Sequence, residues 1–152
     1  MKDYAQKKDG WCGPAALAFA LSQIGIEVDQ EQVVKETHTD KNGIDPKPLI
    51  ACAKKHGAKT EVIEGENPDK TLTQLVHEVK EGGAALVDYL VSGEKDGGHY
   101  VVFLGQKEGK IRIWNPSGGK KELMDKSYFI SNWRDRTESG KVMKNWALVL
   151  RA

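Results

Sequence analysis

The apolar period of this 152-residue chain turns from helical to largely strand-like near residue 58, and that change constrains the fold more than any other feature. Before it, apolar residues recur at helical spacing; after it, most sit in short runs or alternations of the kind strands use. Ala15, Leu17, Ala18, Leu21 and Ile24 follow Cys12, with Pro14 in a first turn, where its missing N–H costs nothing, and Gly25 as a stop. This predicts an Ala-rich helix from Cys12 to Ile24, broad-faced and therefore central. A second helix is expected from Asp29 to about Thr37, with Gln32 completing a capping pattern. A third is capped by Asp45, opened by Pro46 and Pro48, and ended by Gly57.

Past residue 58, Lys59 to Ile63 alternates like a strand. Leu72, Leu75, Val76 and Val79 keep helical spacing, and Gly82 with Gly83 ends that helix. Ala84 to Val91 reads as a buried strand. HYVVFLG from His99 and KIRIW from Lys110 predict a hairpin turning around Glu108 and Gly109, and a last strand is expected from about Trp146 to Leu150. Helices first and antiparallel strands later make the chain α+β rather than a βαβ repeat. Its length suits a single domain over 1–152, with a helical half of about 1–58 and a sheet half of about 59–152.

Charge excludes some functions. A formal net charge of +1 gives no electrostatic reason to expect nucleic acid or an anionic membrane as partner. No apolar run approaches the roughly 18 residues a bilayer span needs. The opening MKDYAQKKDGW lacks the apolar stretch of a signal peptide, so the cytoplasm is favoured. Two cysteines are too few for a disulfide framework. His38, His56 and His77 have no partners at ligand spacing, Cys52 reads as core, and no zinc pattern appears. The glycines near 97 and 118 match no phosphate-binding fingerprint. Neither a metal nor a cofactor is expected.

Cys12 taken alone reads as a small buried thiol, since free cysteines are among the most buried residues. Its neighbours in the chain order change that. Gln6 lies six positions upstream in a polar segment, His99 opens a strand after a Gly-rich loop (EKDGGH), and Asn115 closes the next strand before Pro116 in NPSGG. Two strands of a hairpin can bring the start of one beside the end of the other, so His99 and Asn115 can be neighbours. Attack of a thiol on an amide needs a thiolate, which a helix N-terminus and an adjacent imidazolium both favour. The imidazole needs a third group to hold its ring, and the oxyanion needs N–H donors. Cys12, His99, Asn115 and Gln6 offer these four roles in turn, the Cys12 backbone N–H being a second donor.

The order Gln6, Cys12, His99, Asn115 resembles the papain-like cysteine peptidases. The text QKKDGWCGPAALAFAL, GGHYVVFLG and IRIWNPSGG, spanning Gln6 to about Gly119, resembles more closely the peptidase domain of bacteriocin-exporting ABC transporters and its stand-alone relatives. The resemblance implies a papain-like α+β fold, with Cys12 at the head of the central helix packed on a twisted antiparallel sheet that carries His99 and Asn115. It also implies hydrolysis of a peptide or protein substrate through an acyl-enzyme, after small residues such as Gly-Gly. In the exporter domains the third position is usually Asp, where this chain has Asn115. Two other readings stay open on the same residues: an acyl transferase, in which an amine replaces water, and a peptide-binding module without turnover.

Overall fold

The computed structural model of the chain describes residues 3–91 and 98–152. Three helices come first: α1 (Cys12–Gln23), α2 (Gln30–Thr37) and α3 (Pro46–Lys55). They are followed by β1 (Lys59–Ile63), α4 (Pro68–Lys80), β2 (Ala84–Leu90), β3 (Gly98–Lys107), β4 (Lys110–Asn115) and β5 (Lys120–Asp125). A short α5 (Lys126–Asn132) precedes β6 (Arg134–Arg136), β7 (Val142–Lys144) and β8 (Ala147–Arg151). Six strands form one sheet in the order β1-β8-β2-β3-β4-β5, and every neighbouring pair is antiparallel. The strands β6 and β7 pair separately. Among the described residues no helix is long and apolar enough to cross a membrane.

Helix α1 buries Ala15, Ala16, Leu17, Ala18, Ala20 and Leu21, which leaves it little polar face and makes it the centre of the helical layer. It packs with α2 and α3 on one face of the sheet, against Leu86, Tyr100, Val102, Trp114, Leu148 and Leu150. Alternate residues of the same strands, Val87, Val101, Phe103, Ile113, Ala147 and Val149, point to the other face. That second face is covered as well: Leu72 and Leu75 of α4, Phe129 of α5 and Trp133 close over it. Burial on both sides explains why β2 reads as an apolar run with no alternation.

Two of the expected caps form differently. Asp29 precedes α2 but makes no side-chain cap hydrogen bond, its backbone carbonyl accepting the Val33 N–H at 3.1 Å. Asp45 precedes α3, yet its carboxylate turns across the molecule to accept the Glu138 backbone N–H at 3.1 and 3.2 Å. A side-chain cap does occur at α4, where Asn67 Oδ1 accepts from the N–H groups of Asp69 and Lys70. The β3–β4 hairpin turns on Glu108 and Gly109, both at positive φ, as a two-residue turn between twisted strands requires. Four elements have no counterpart in the expected set: β5, α5, β6 and β7. Strand β5 is exposed almost throughout and carries no alternation, α5 has seven residues, and β6 and β7 have three each, so none displays a period.

Candidate active site

Cys12 is the first residue of α1, partly exposed at the foot of a cleft of about 1100 Å³. The cleft walls are the segment from Asp40 to Asp45, the start of β3 at Gly98 and Tyr100, and the strand-borne segment from Arg134 to Glu138. Local geometry sets the thiol there. Gly10 has φ +83, and a Cβ on it would overlap the backbone of Asp40 and Lys41, so the loop entering α1 lies directly on the cleft wall. Tyr100 anchors the same wall by donating its hydroxyl to the Ile44 carbonyl at 3.0 Å.

His99 and Asn115 meet where β3 begins and β4 ends. His99 Nε2 lies 2.8 Å from Asn115 Oδ1. The Asn115 amide is oriented by two further partners: Oδ1 accepts the Ser117 backbone N–H at 2.9 Å, and Nδ2 donates to the Glu122 carboxylate at 3.3 Å. An oxygen placed by these bonds can only accept, so the hydrogen between the two side chains belongs to His99 Nε2. That leaves Nδ1 as the basic nitrogen of the ring. Tyr89, the register partner of His99, packs edge-on against the ring. Residues 94–97 of the EKDGGH loop expected beside His99 lie outside the described residues.

Gln6 reaches this corner through its backbone, donating its N–H to the Pro116 carbonyl at 2.8 Å. Its side-chain Nε2 gives one N–H to the Lys8 carbonyl at 3.2 Å, and Oε1 is buried without a partner. The segment before α1 is thereby tied to the turn that carries Asn115.

The electrostatics of Cys12 differ from the expected thiolate-favouring pattern. Burial pushes its thiol up, and the nearby Asp88 charge adds to that. The backbone N–H groups of Tyr100, Gly13 and Cys12 itself point at the sulfur and oppose the rise. Among the described residues no hydrogen bond joins Cys12 Sγ to His99. Tyr100, which follows His99, is the part of β3 that faces the sulfur.

Cys52 is buried, and burial with the nearby Glu36 charge pushes its thiol to about 11. The fold brings it together with His56 and Glu36, whose ligating atoms lie within 4.8 Å of one another, a grouping that spacing alone did not indicate because Glu36 comes from α2. Glu36 is engaged there by Lys55 at 2.7 Å and His56 at 2.8 Å. Trp114 stacks on Phe19 inside the helical face of the core, whereas Trp133 lines the cleft and donates Nε1–H to the Trp146 carbonyl. Three residues at the site had no sequence signal of their own. Glu122 sits on the unpatterned β5, Asp88 is hidden in an apolar strand, and Asp135 lies on a three-residue strand.

A cysteine-headed helix packed on an antiparallel sheet that carries a His–Asn pair defines the papain-like α+β peptidase fold. The chain belongs to the Peptidase_C39 like family, whose model matches residues 1–141. The peptidase domain of Streptococcus ComA, a bi-functional ABC transporter involved in quorum sensing, superposes with a TM-score of 0.76 at 22% identity, over 97% of this chain and 95% of that one. A double glycine motif protease from an AMS/PCAT transporter, solved with its leader peptide, superposes with a TM-score of 0.70 at 19% identity, over 97% and 89%. In sequence, an uncharacterized protein of Methanothermobacter thermautotrophicus is 26% identical over 115 residues, 76% of this chain and 71% of that protein.

Proposed function

We propose that the chain is a cysteine peptidase with Cys12 as nucleophile, His99 as general base and acid, Asn115 as the group that holds the imidazole, and Gln6 with the Cys12 backbone N–H as oxyanion donors. The observation that carries this reading is the 2.8 Å bond from His99 Nε2 to Asn115 Oδ1, which leaves Nδ1 free to exchange a proton. Membership of a peptidase family and the likeness to a protease solved with a leader peptide support a peptide substrate. As in that neighbour, small residues such as Gly-Gly before the cut are the favoured sequence.

In this mechanism the Sγ proton passes to His99 Nδ1, and the thiolate forms a bond to the carbonyl carbon of the substrate. The oxyanion accepts from the Cys12 N–H and from the second N–H of Gln6 Nε2; one such donor is typically worth about 3 kcal/mol in the transition state. The C–N bond then breaks as His99 returns its proton to the leaving amine. Water, deprotonated by the same nitrogen, attacks the thioester and releases the carboxylic acid and the thiol. Because burial and Asp88 both raise the resting thiol, the imidazolium is the group that must stabilise the thiolate.

Alkylation by iodoacetamide, followed by mass spectrometry across pH, tests this directly. Cys12 is expected to label near neutral pH, while Cys52 stays inert. In His99→Ala the Cys12 labelling midpoint should move above that of a free thiol, because burial and Asp88 outweigh the backbone N–H groups that oppose them. A midpoint indifferent to His99 rejects the pairing.

A further inference from the structure

Carboxylates to which the mechanism above gives no part in binding or proton transfer gather at and behind the cleft wall. Asp88 of β2 is only 2% exposed, and its Oδ1 is buried with no hydrogen-bond donor. It stands opposite Tyr100 in the β2–β3 register, and Tyr100 is the residue whose backbone N–H faces the Cys12 sulfur. Asp88 Oδ1 and Asp135 Oδ2 converge beside Gly98: a Cβ on that glycine would overlap both oxygens. Gly98, Asp135 and Asp45 all line the cleft.

The donors around these three carboxylates are backbone groups. Asp135 accepts the Arg136 N–H at 2.7 Å, Asp45 accepts the Glu138 N–H, and Asp88 accepts the His99 N–H. Among the described residues none of the three forms an ion pair with Lys, Arg or His. Of the basic side chains lining the cleft, Lys144 pairs with Glu66 at 3.1 Å and Arg134 donates to the Ser131 carbonyl at 2.9 Å, while His38, Lys47 and Arg136 line it without an ion pair to these three acids. Burial, the Asp135 carboxyl facing it and the charges of Asp135 and Asp45 hold Asp88 well above the usual carboxylate range. A buried carboxylate oxygen without a donor costs stability. An ammonium or guanidinium group supplies both the missing N–H and the compensating charge.

We propose that Asp88, Asp135 and Asp45 form a subsite, adjacent to Cys12, for a cationic group of the bound peptide. The proposal rests on the peptidase reading and narrows it: the substrate carries a Lys or Arg side chain, or its own amino terminus, within a few residues of the scissile bond. The cation sits where Asp88 Oδ1 and Asp135 Oδ2 converge beside Gly98.

Two measurements decide it. The first needs no turnover. Cys12 is modified with methanethiosulfonate reagents carrying a trimethylammonium, a neutral methyl or a sulfonate group, in the full chain and in Asp135→Asn and Asp45→Asn, with folding checked by circular dichroism. The ammonium reagent should react at least about tenfold faster than the sulfonate, and the ratio should fall several-fold in both variants. The second scans Lys against norleucine through N-acetylated and free-amine peptides. One position, or the free terminus, should raise kcat/KM at least about tenfold, which also identifies the source of the cation. Cleavage without any charge preference, together with a reagent ratio untouched by both substitutions, overturns the subsite and leaves the peptidase reading standing. A charge-dependent reagent ratio that falls in the variants, with no peptide cleaved, supports the subsite and rejects the peptidase reading.

Discussion

At the scale of single residues, Asn115 is where this chain departs from the Asp usual in the exporter domains, and Glu122 gives the physical reason. The Asn115 amide sits between an imidazole that must be accepted from and a carboxylate that must be donated to, 3.3 Å away. An Asp there would face Glu122 as a like charge with no donor between them, and one of the two would be driven to protonate. An amide satisfies both neighbours. Asn115→Asp is therefore expected to lower kcat/KM, and Glu122→Gln placed on top of it should recover most of the loss by returning an N–H donor. Glu122→Gln alone should change the rate less than about threefold, since Glu122 is exposed and its charge is screened. A double variant no better than Asn115→Asp would show that Glu122 does not set the third position.

At the scale of elements, the helical layer has a polar tie that responds to pH. Glu36 of α2 binds Lys55 of α3 and His56 beyond it, and these hydrogen bonds lower its carboxyl from the ordinary 4.5 to about 2. A carboxyl whose folded value is depressed stabilises the fold above its unfolded value and loses that contribution as pH falls through the folded one. Wild type should thus have a higher Tm than Glu36→Gln at pH 7, with the gap constant down to about pH 5.5 and closing between there and pH 2. Thermal melts by circular dichroism across that range read it; a gap independent of pH would mean that the α2–α3 tie is not electrostatic.

Elements also show what was legible in the sequence. Helix α1, the β3–β4 hairpin and the buried β2 each carried a strong local signal: an apolar helical run with Pro14 and Gly25 at its ends, a Glu-Gly turn between apolar strands, and a continuous apolar stretch. Residues at the ends of such elements, Cys12, His99 and Asn115, could be read along with them. Asp45 and Asp29 look like caps because local chemistry allows it, but the Asp45 carboxylate is held by an amide 93 residues away, which no local pattern reports. The same limit hid Glu36 beside Cys52 and His56, and Asp135 beside Asp88.

At the scale of the whole molecule, the sheet is buried on two faces that do different work. The α1–α3 face includes Leu17, Tyr100 and Trp114, and it fixes the distance between the helix that begins at Cys12 and the strands that end at His99 and Asn115. The opposite face, with Phe103, Ile113, Phe129 and Trp133, supports the strands from behind. Leu17 and Ile113 are both fully buried, so truncating either removes packing. Leu17→Ala is expected to cost about 2–5 kcal/mol, and Ile113→Ala a similar amount, by urea unfolding. Their chemistry should separate. A cavity under α1 lets the helix shift against β3, and displacement of a reacting group by about 1 Å can cost on the order of 100-fold in rate. Leu17→Ala should therefore slow iodoacetamide labelling of Cys12 well below the wild-type rate under conditions where both remain folded, while Ile113→Ala labels at close to the wild-type rate. Equal labelling in the two variants would mean that the seat of α1 on the sheet does not set the reactivity of its first residue.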